Sequence, residues 1–145
     1  MIKKFTSVVL LLAGLITVSA CDKEESKPVS NIVNLSATIN GSQEVAPNNS
    51  TATGSMTGTY DKTTGKLTYT VTYQGITPSA GHIHEGAVGT NGGVIVTFPS
   101  MTSPINGTAT LTEEDAKKLL ANATYVNFHT TAYNGGEIRG NISVK

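Results

Sequence analysis

Alternation of apolar and polar residues is the dominant signal in this chain. It is sharpest over residues 66–74, KLTYTVTYQ, where Leu67, Tyr69, Val71 and Tyr73 share one side and Thr68, Thr70 and Thr72 the other. A period of two marks a strand with one buried face. The same pattern predicts strands over residues 31–40, 53–60, 107–111, 124–131 and 137–144 and one around His82-Ile83-His84, and the continuous apolar run 94–98 predicts another. Asn40-Gly41-Ser42, Asp61 to Gly65, Gly89 to Gly93 and Tyr133 to Gly136 supply the turn residues between them. One segment has a helical period. Thr112 precedes three acids, Glu113, Glu114 and Asp115, and Ala116, Leu119, Leu120 and Ala123 form an apolar stripe. Thr112 is the expected N-cap and the helix is expected to end near Asn122. Seven to eight short strands and one short helix predict an all-β fold: an antiparallel Greek-key β-sandwich or barrel, superoxide dismutase-like or immunoglobulin-like.

Strand parity also sorts the chemistry. In His82-Ile83-His84, Ile83 belongs to the core, so both imidazoles point outward, onto a face that water, a ligand or a partner can reach. In TYVNFHTT, Val126 and Phe128 point inward, and Tyr125, Asn127 and the third histidine, His129, point outward. In the last strand Ile138, Ile142 and Val144 are expected inward, with Glu137, Arg139 and Asn141 outward. On that reading Glu137 and Arg139 form an ordinary exposed ion pair, worth about 0–1 kcal/mol.

The N-terminus changes the picture of where the domain works. Lys3 and Lys4 precede an apolar run over residues 5–18, and the segment ends Val18-Ser19-Ala20-Cys21. This is the shape of a secretory signal, too short for a span of about 20 apolar residues. Its exit resembles a bacterial lipobox, in which the cysteine is lipidated. Cys21 is the chain's sole cysteine, so an internal disulfide is excluded and a lipid anchor accounts for it. The expected organisation is a signal peptide over 1–20, lipidated Cys21 and a flexible tether over 21–30, and one domain over 31–145. The tether's Lys23-Glu24-Glu25 resembles a surface-export signal of some Gram-negative lipoproteins. The competing reading of that segment is a plain solvated linker. The expected location is the cell envelope, lipid-anchored to a bacterial membrane; the export signal would place it on the outer membrane, facing outward. Without Lys3 and Lys4, eight basic residues remain against ten acidic ones, a net charge of −2. Nucleic-acid binding lacks its electrostatic footprint. A Gly-x-Ser-x-Gly elbow, a phosphate loop and a paired-carboxylate site are all missing from the sequence, so nothing in it points to an enzyme.

Several segments together resemble the CHRD (chordin) domain family: LSATINGSQEVAP, GSMTGTYDKTTGKLTYTVTYQGI, AGHIHEGAVGTNGGVIVTF, the block TEEDAKKLLANATYVNFHT, and NGGEIRGNI. The resemblance implies an antiparallel β domain of the kind found singly in bacterial secreted proteins and lipoproteins. It implies no particular biochemical activity. The function expected first is a binding or interaction module on a membrane anchor, its partner a protein or another extracellular ligand.

The histidines support an alternative. Two imidazoles at i and i+2 and a third from another strand are a plausible ligand set for copper or zinc. HIHEG with a later histidine, a Gly-rich turn and an Arg-bearing strand resembles, more weakly, the copper–zinc superoxide dismutases. That resemblance makes His82, His84 and His129 metal ligands, with Arg139 near the metal attracting anions, and it brings redox chemistry with it. The departures are large: that family uses a fourth copper histidine, further zinc ligands and a disulfide, and this chain has three histidines and one cysteine. The competing reading makes the three rings structural, bracing turns through hydrogen bonds to Glu85, Glu137, Thr130 or backbone carbonyls.

Overall fold

The computed structural model describes residues 30–145. Its elements in chain order are β1 (Ile32–Asn40), a 3-10 turn (Gly41–Gln43), β2 (Thr53–Asp61), β3 (Lys66–Gln74), β4 (Ala80–Glu85), β5 (Val94–Thr97), β6 (Ile105–Thr110), α1 (Glu113–Leu120), β7 (Thr124–His129), β8 (Ile138–Asn141) and β9 (Ser143–Val144). The signal peptide, Cys21 and nearly all of the tether lie outside the described residues. The strands form one antiparallel sheet in the order β5-β4-β7-β8-β1-β2-β3-β6, with β9 pairing β1. The sheet curls until its two ends face each other. Tyr69 on β3 packs on Phe98 at the end of β5, with ring centroids 5.5 Å apart, and Tyr73 packs on Phe128 of β7 at 4.9 Å. The result is a nearly closed all-β barrel carrying one helix. Its strands number nine because Ile142 splits the last predicted one in two.

The core follows from parity. Leu67, Val71, Ile83, Val126, Phe128, Ile138 and Ile142 are all at most 1 % exposed. Full burial of one such aliphatic side chain stabilises the fold by roughly 1.5–3 kcal/mol. The large inward rings need room, and glycine supplies it. Gly107 lies opposite Tyr69 in the β3–β6 ladder, where any Cβ would collide with the tyrosine ring.

Two expected core positions, each at the end of its element, are exposed instead. Val144, expected inward, is 37 % exposed, because β9 is two residues long and sits beside β1 without crossing the core. Leu120, expected in the helix stripe, is also 37 % exposed, while Ala116 and Leu119 are buried. The α1 N-cap is as expected: the Thr112 hydroxyl oxygen accepts from the Asp115 N–H at 3.1 Å. Lys118 of α1 pairs with Glu85 at the end of β4 and with Glu114, which fastens the helix to the strand that carries two of the histidines.

Candidate metal centre on the outer face of the barrel

Three neighbouring strands build the site. In the β4–β7 ladder His84 lies opposite Tyr125, His82 opposite Asn127 and Ala80 opposite His129; in the β7–β8 ladder Asn127 lies opposite Arg139 and Tyr125 opposite Asn141. Because Ile83, Val126, Phe128 and Ile138 hold the inner face, the polar residues between them share the outer one.

The structure brings the three predicted histidines together. Ring centroids are 5.3 Å apart for His82–His84 and for His82–His129, and 5.9 Å for His84–His129. Each ring offers one nitrogen to a group whose members all lie within 4.8 Å of one another. The outer face is less open than parity implied. His84 is only 8 % exposed, because the loop over residues 86–93 folds back across it.

Hydrogen bonding decides which nitrogens are free. His84 Nδ1 lies 3.1 Å from the carbonyl oxygen of Gly92, and His129 Nδ1 lies 2.9 Å from that of Asn134. A carbonyl only accepts, so each Nδ1 must carry the proton, and in the neutral ring each Nε2 then holds a lone pair. His84 Nε2, His129 Nε2 and His82 Nδ1 are buried and have no hydrogen-bond partner. Bracing by backbone carbonyls therefore occurs, but it engages only two of the rings and only one nitrogen of each. The expected braces from Glu85, Glu137 and Thr130 are not made: Glu85 binds Lys118, and Glu137 accepts from Ser50 and Thr130. Burial lowers the pKa of His82 and His84 below the ordinary 6.5; the neighbouring rings add to the effect, and the Gly92 contact offsets part of it at His84. Burial thus favours, at His82 and His84, the uncharged form a metal requires.

Arg139 overturns its sequence expectation. It is fully buried, and it forms no pair with Glu137. Its guanidinium carbon lies 3.4 Å from the centre of the Tyr125 ring. Its Nη2 donates to the Ala87 carbonyl at 3.1 Å, and Nη1 and Nη2 make longer contacts to the side-chain oxygens of Asn91 and Asn141. A desolvated cation–π contact is worth about 2 kcal/mol, more than an exposed ion pair. The loop over residues 86–93 closes over the guanidinium, and a period-two pattern carries no information about such a cover. Across β7 from Arg139, the His84 ring stacks on Tyr125 at 5.0 Å and 6°. Arg139, Tyr125 and His84 thus form a stacked column.

Two further participants escaped sequence reading. Glu44, in the loop after β1, is half-buried and accepts from Asn127 Nδ2, which also reaches the Ile138 carbonyl at 3.1 Å. Burial raises the Glu44 pKa, against the pull of Asn127, Arg139 and His129. Gly92 joins the loop to the site at two points: its carbonyl accepts the hydrogen bond from His84 Nδ1–H and its N–H donates to the Tyr125 hydroxyl oxygen at 3.3 Å. The Asn91-Gly92 turn signal was the sole local hint of Gly92; Glu44 has none, because its partner lies 83 positions away.

Comparison with known proteins gives a single family. A family model described as the CHRD domain matches residues 35–142. No curated protein and no solved structure matches the chain.

Proposed function

Since the chain belongs to the CHRD domain family, we propose that its barrel is a binding module whose ligand is a transition-metal ion, copper or zinc, held by His82, His84 and His129. One observation carries this reading: each of the three rings offers a nitrogen within 4.8 Å of the others, and each ring also has a buried nitrogen with no protein partner. A buried polar atom without a hydrogen bond costs about 1–3 kcal/mol, and three together call for a ligand that satisfies all of them. The Nδ1–H bonds to Gly92 and Asn134 are the outer-shell contacts that orient ligating histidines in metal sites. Bracing alone explains those two bonds and leaves the three free nitrogens unexplained.

The module is proposed to work at the cell envelope, tethered by a lipid on Cys21 and facing outward from the outer membrane. The support for this is the signal-like segment over residues 1–20, the lipobox-like sequence and the single cysteine. Partners reached from that position are a metal donor or acceptor protein, or another extracellular ligand.

The test is calorimetric titration of the full chain in detergent with Cu(II) and Zn(II), beside His82→Ala/His84→Ala. One equivalent bound by the native chain and none by the variant is expected. Equal weak uptake by both proteins removes the metal reading.

A further inference from the structure

Resting on that metal reading, we infer that the site is built for monovalent copper, and that the Arg139–Tyr125–His84 column sets this preference.

The charge inventory supports the inference first. The group of convergent donors contains three imidazoles and no carboxylate or thiolate. Neutral donors bring no negative charge to offset a cation. The nearest fixed charge in the column is positive. Arg139 is fully buried, and among the described residues no carboxylate stands within ion-pair distance of it. Its guanidinium remains protonated under all ordinary conditions. Strand order β4-β7-β8 places Arg139 and His84 on opposite sides of Tyr125, so the cation stands one ring away from a ligand. A divalent ion in the site meets twice the repulsion that a monovalent ion meets, in surroundings where water screens little. Glu44 is the carboxylate that acts on both Arg139 and His129, and it stands outside the group of convergent donors.

Coordination geometry supports the inference independently. Zinc with three histidines completes its sphere with a water, and Cu(II) prefers a tetragonal set of four or more ligands. The unpartnered nitrogen of each ring is buried, and the strands that carry the rings are held in ladder register. A closed-shell monovalent copper ion is satisfied by three nitrogens alone.

The column also gives Arg139 a role as a positioning residue. Its contact fixes Tyr125, and Tyr125 fixes the plane of His84. A purely structural role and an electrostatic role are separable, because loss of positioning weakens every metal alike while loss of charge changes the ratio between oxidation states.

The experiment uses the full chain in detergent. Cu(I) affinity is measured by competition with a Cu(I) chelator under ascorbate without oxygen, Cu(II) and Zn(II) affinities by competition with divalent chelators, and the potential of the bound copper by voltammetry. The native protein is expected to hold copper at a potential more positive than copper in excess free imidazole. Arg139→Met should tighten Cu(II) and Zn(II) relative to Cu(I) on the order of tenfold, and Arg139→Lys should keep the native ratio. A native potential at or below that of the imidazole complex overturns the inference, as does an unchanged ratio in folded Arg139→Met. If Arg139→Met fails to fold, the native potential decides. Absence of any metal binding by the native chain is a different result: it overturns the metal reading itself.

Discussion

Gly92 holds His84 by its carbonyl oxygen, at 3.1 Å from Nδ1, while any side chain at Gly92 would press into the Glu85 carbonyl. The loop that closes the site is thus seated by a contact only glycine allows. Glu85 in turn accepts the Lys118 ammonium, so helix α1, the end of β4 and the closing loop bear on one point.

Gly92→Ala should therefore loosen the site without unfolding the barrel. The alanine Cβ has to displace the loop, which removes the acceptor from His84 and the N–H from Tyr125. Outer-shell losses of this kind typically cost 10–100-fold in metal affinity. Titration of the variant should show a loss in that range with a denaturation midpoint near the native one. Native affinity in Gly92→Ala would show that the loop does not orient His84.

Acidity should destabilise the metal-free protein through the same rings. His82 and His84 have folded-state pKa values below the ordinary 6.5. In the interval between the folded and unfolded values the unfolded chain binds more protons, so stability falls as pH drops through 6.5 and levels off below the folded values. Glu44 works the other way. Its pKa is raised above the ordinary 4.5, so the folded state takes up a proton first and gains stability as pH falls toward that value. Urea denaturation of metal-free protein at pH 7.5 and pH 5.5 should show the loss, and His82→Phe should reduce it. A midpoint that does not move between the two pH values would contradict the assigned burial of the histidines.

Cys21→Ser tests the anchor apart from the site. Lipidation requires the thiol, and two or more acyl chains hold a protein firmly to a membrane. Fractionation of cells expressing the variant should find the protein in the soluble fraction. Retention in membranes at the native level would refute the lipid anchor.

How much of this was legible in the sequence differs between the barrel and the site. The β3 strand could be read residue for residue, because Leu67, Tyr69 and Val71 alternate with threonines that reach solvent. The grouping of His82, His84 and His129 on one face could also be read, since Ile83 and Phe128 fix the parity of their strands. Parity gives the face of a sheet and says nothing about what lies over it. That is why Arg139 was expected in an exposed pair and stands buried against Tyr125, and why His84 lies under a loop. The pairing of β4 with β7, and with it the approach of His129 to His82, depends on a crossover through α1 that no local pattern encodes. Glu44 and Asn127 meet through the same kind of long-range closure.

The barrel's open seam has a mechanical consequence. The sheet ends on β5 and β6, which share no ladder, and β4 stands one strand from that gap. On its other side β4 is bonded to β7 by a register of six residue pairs, whereas toward β5 the register shifts between Ile83 and His84. Were an ion to draw the three rings inward, as the proposed function requires, the displacement would pass to the weakly tied β5 flank, and the firm β4–β7 ladder would keep its spacing. Capture and release would then flex one margin of the cylinder while the rest stays rigid.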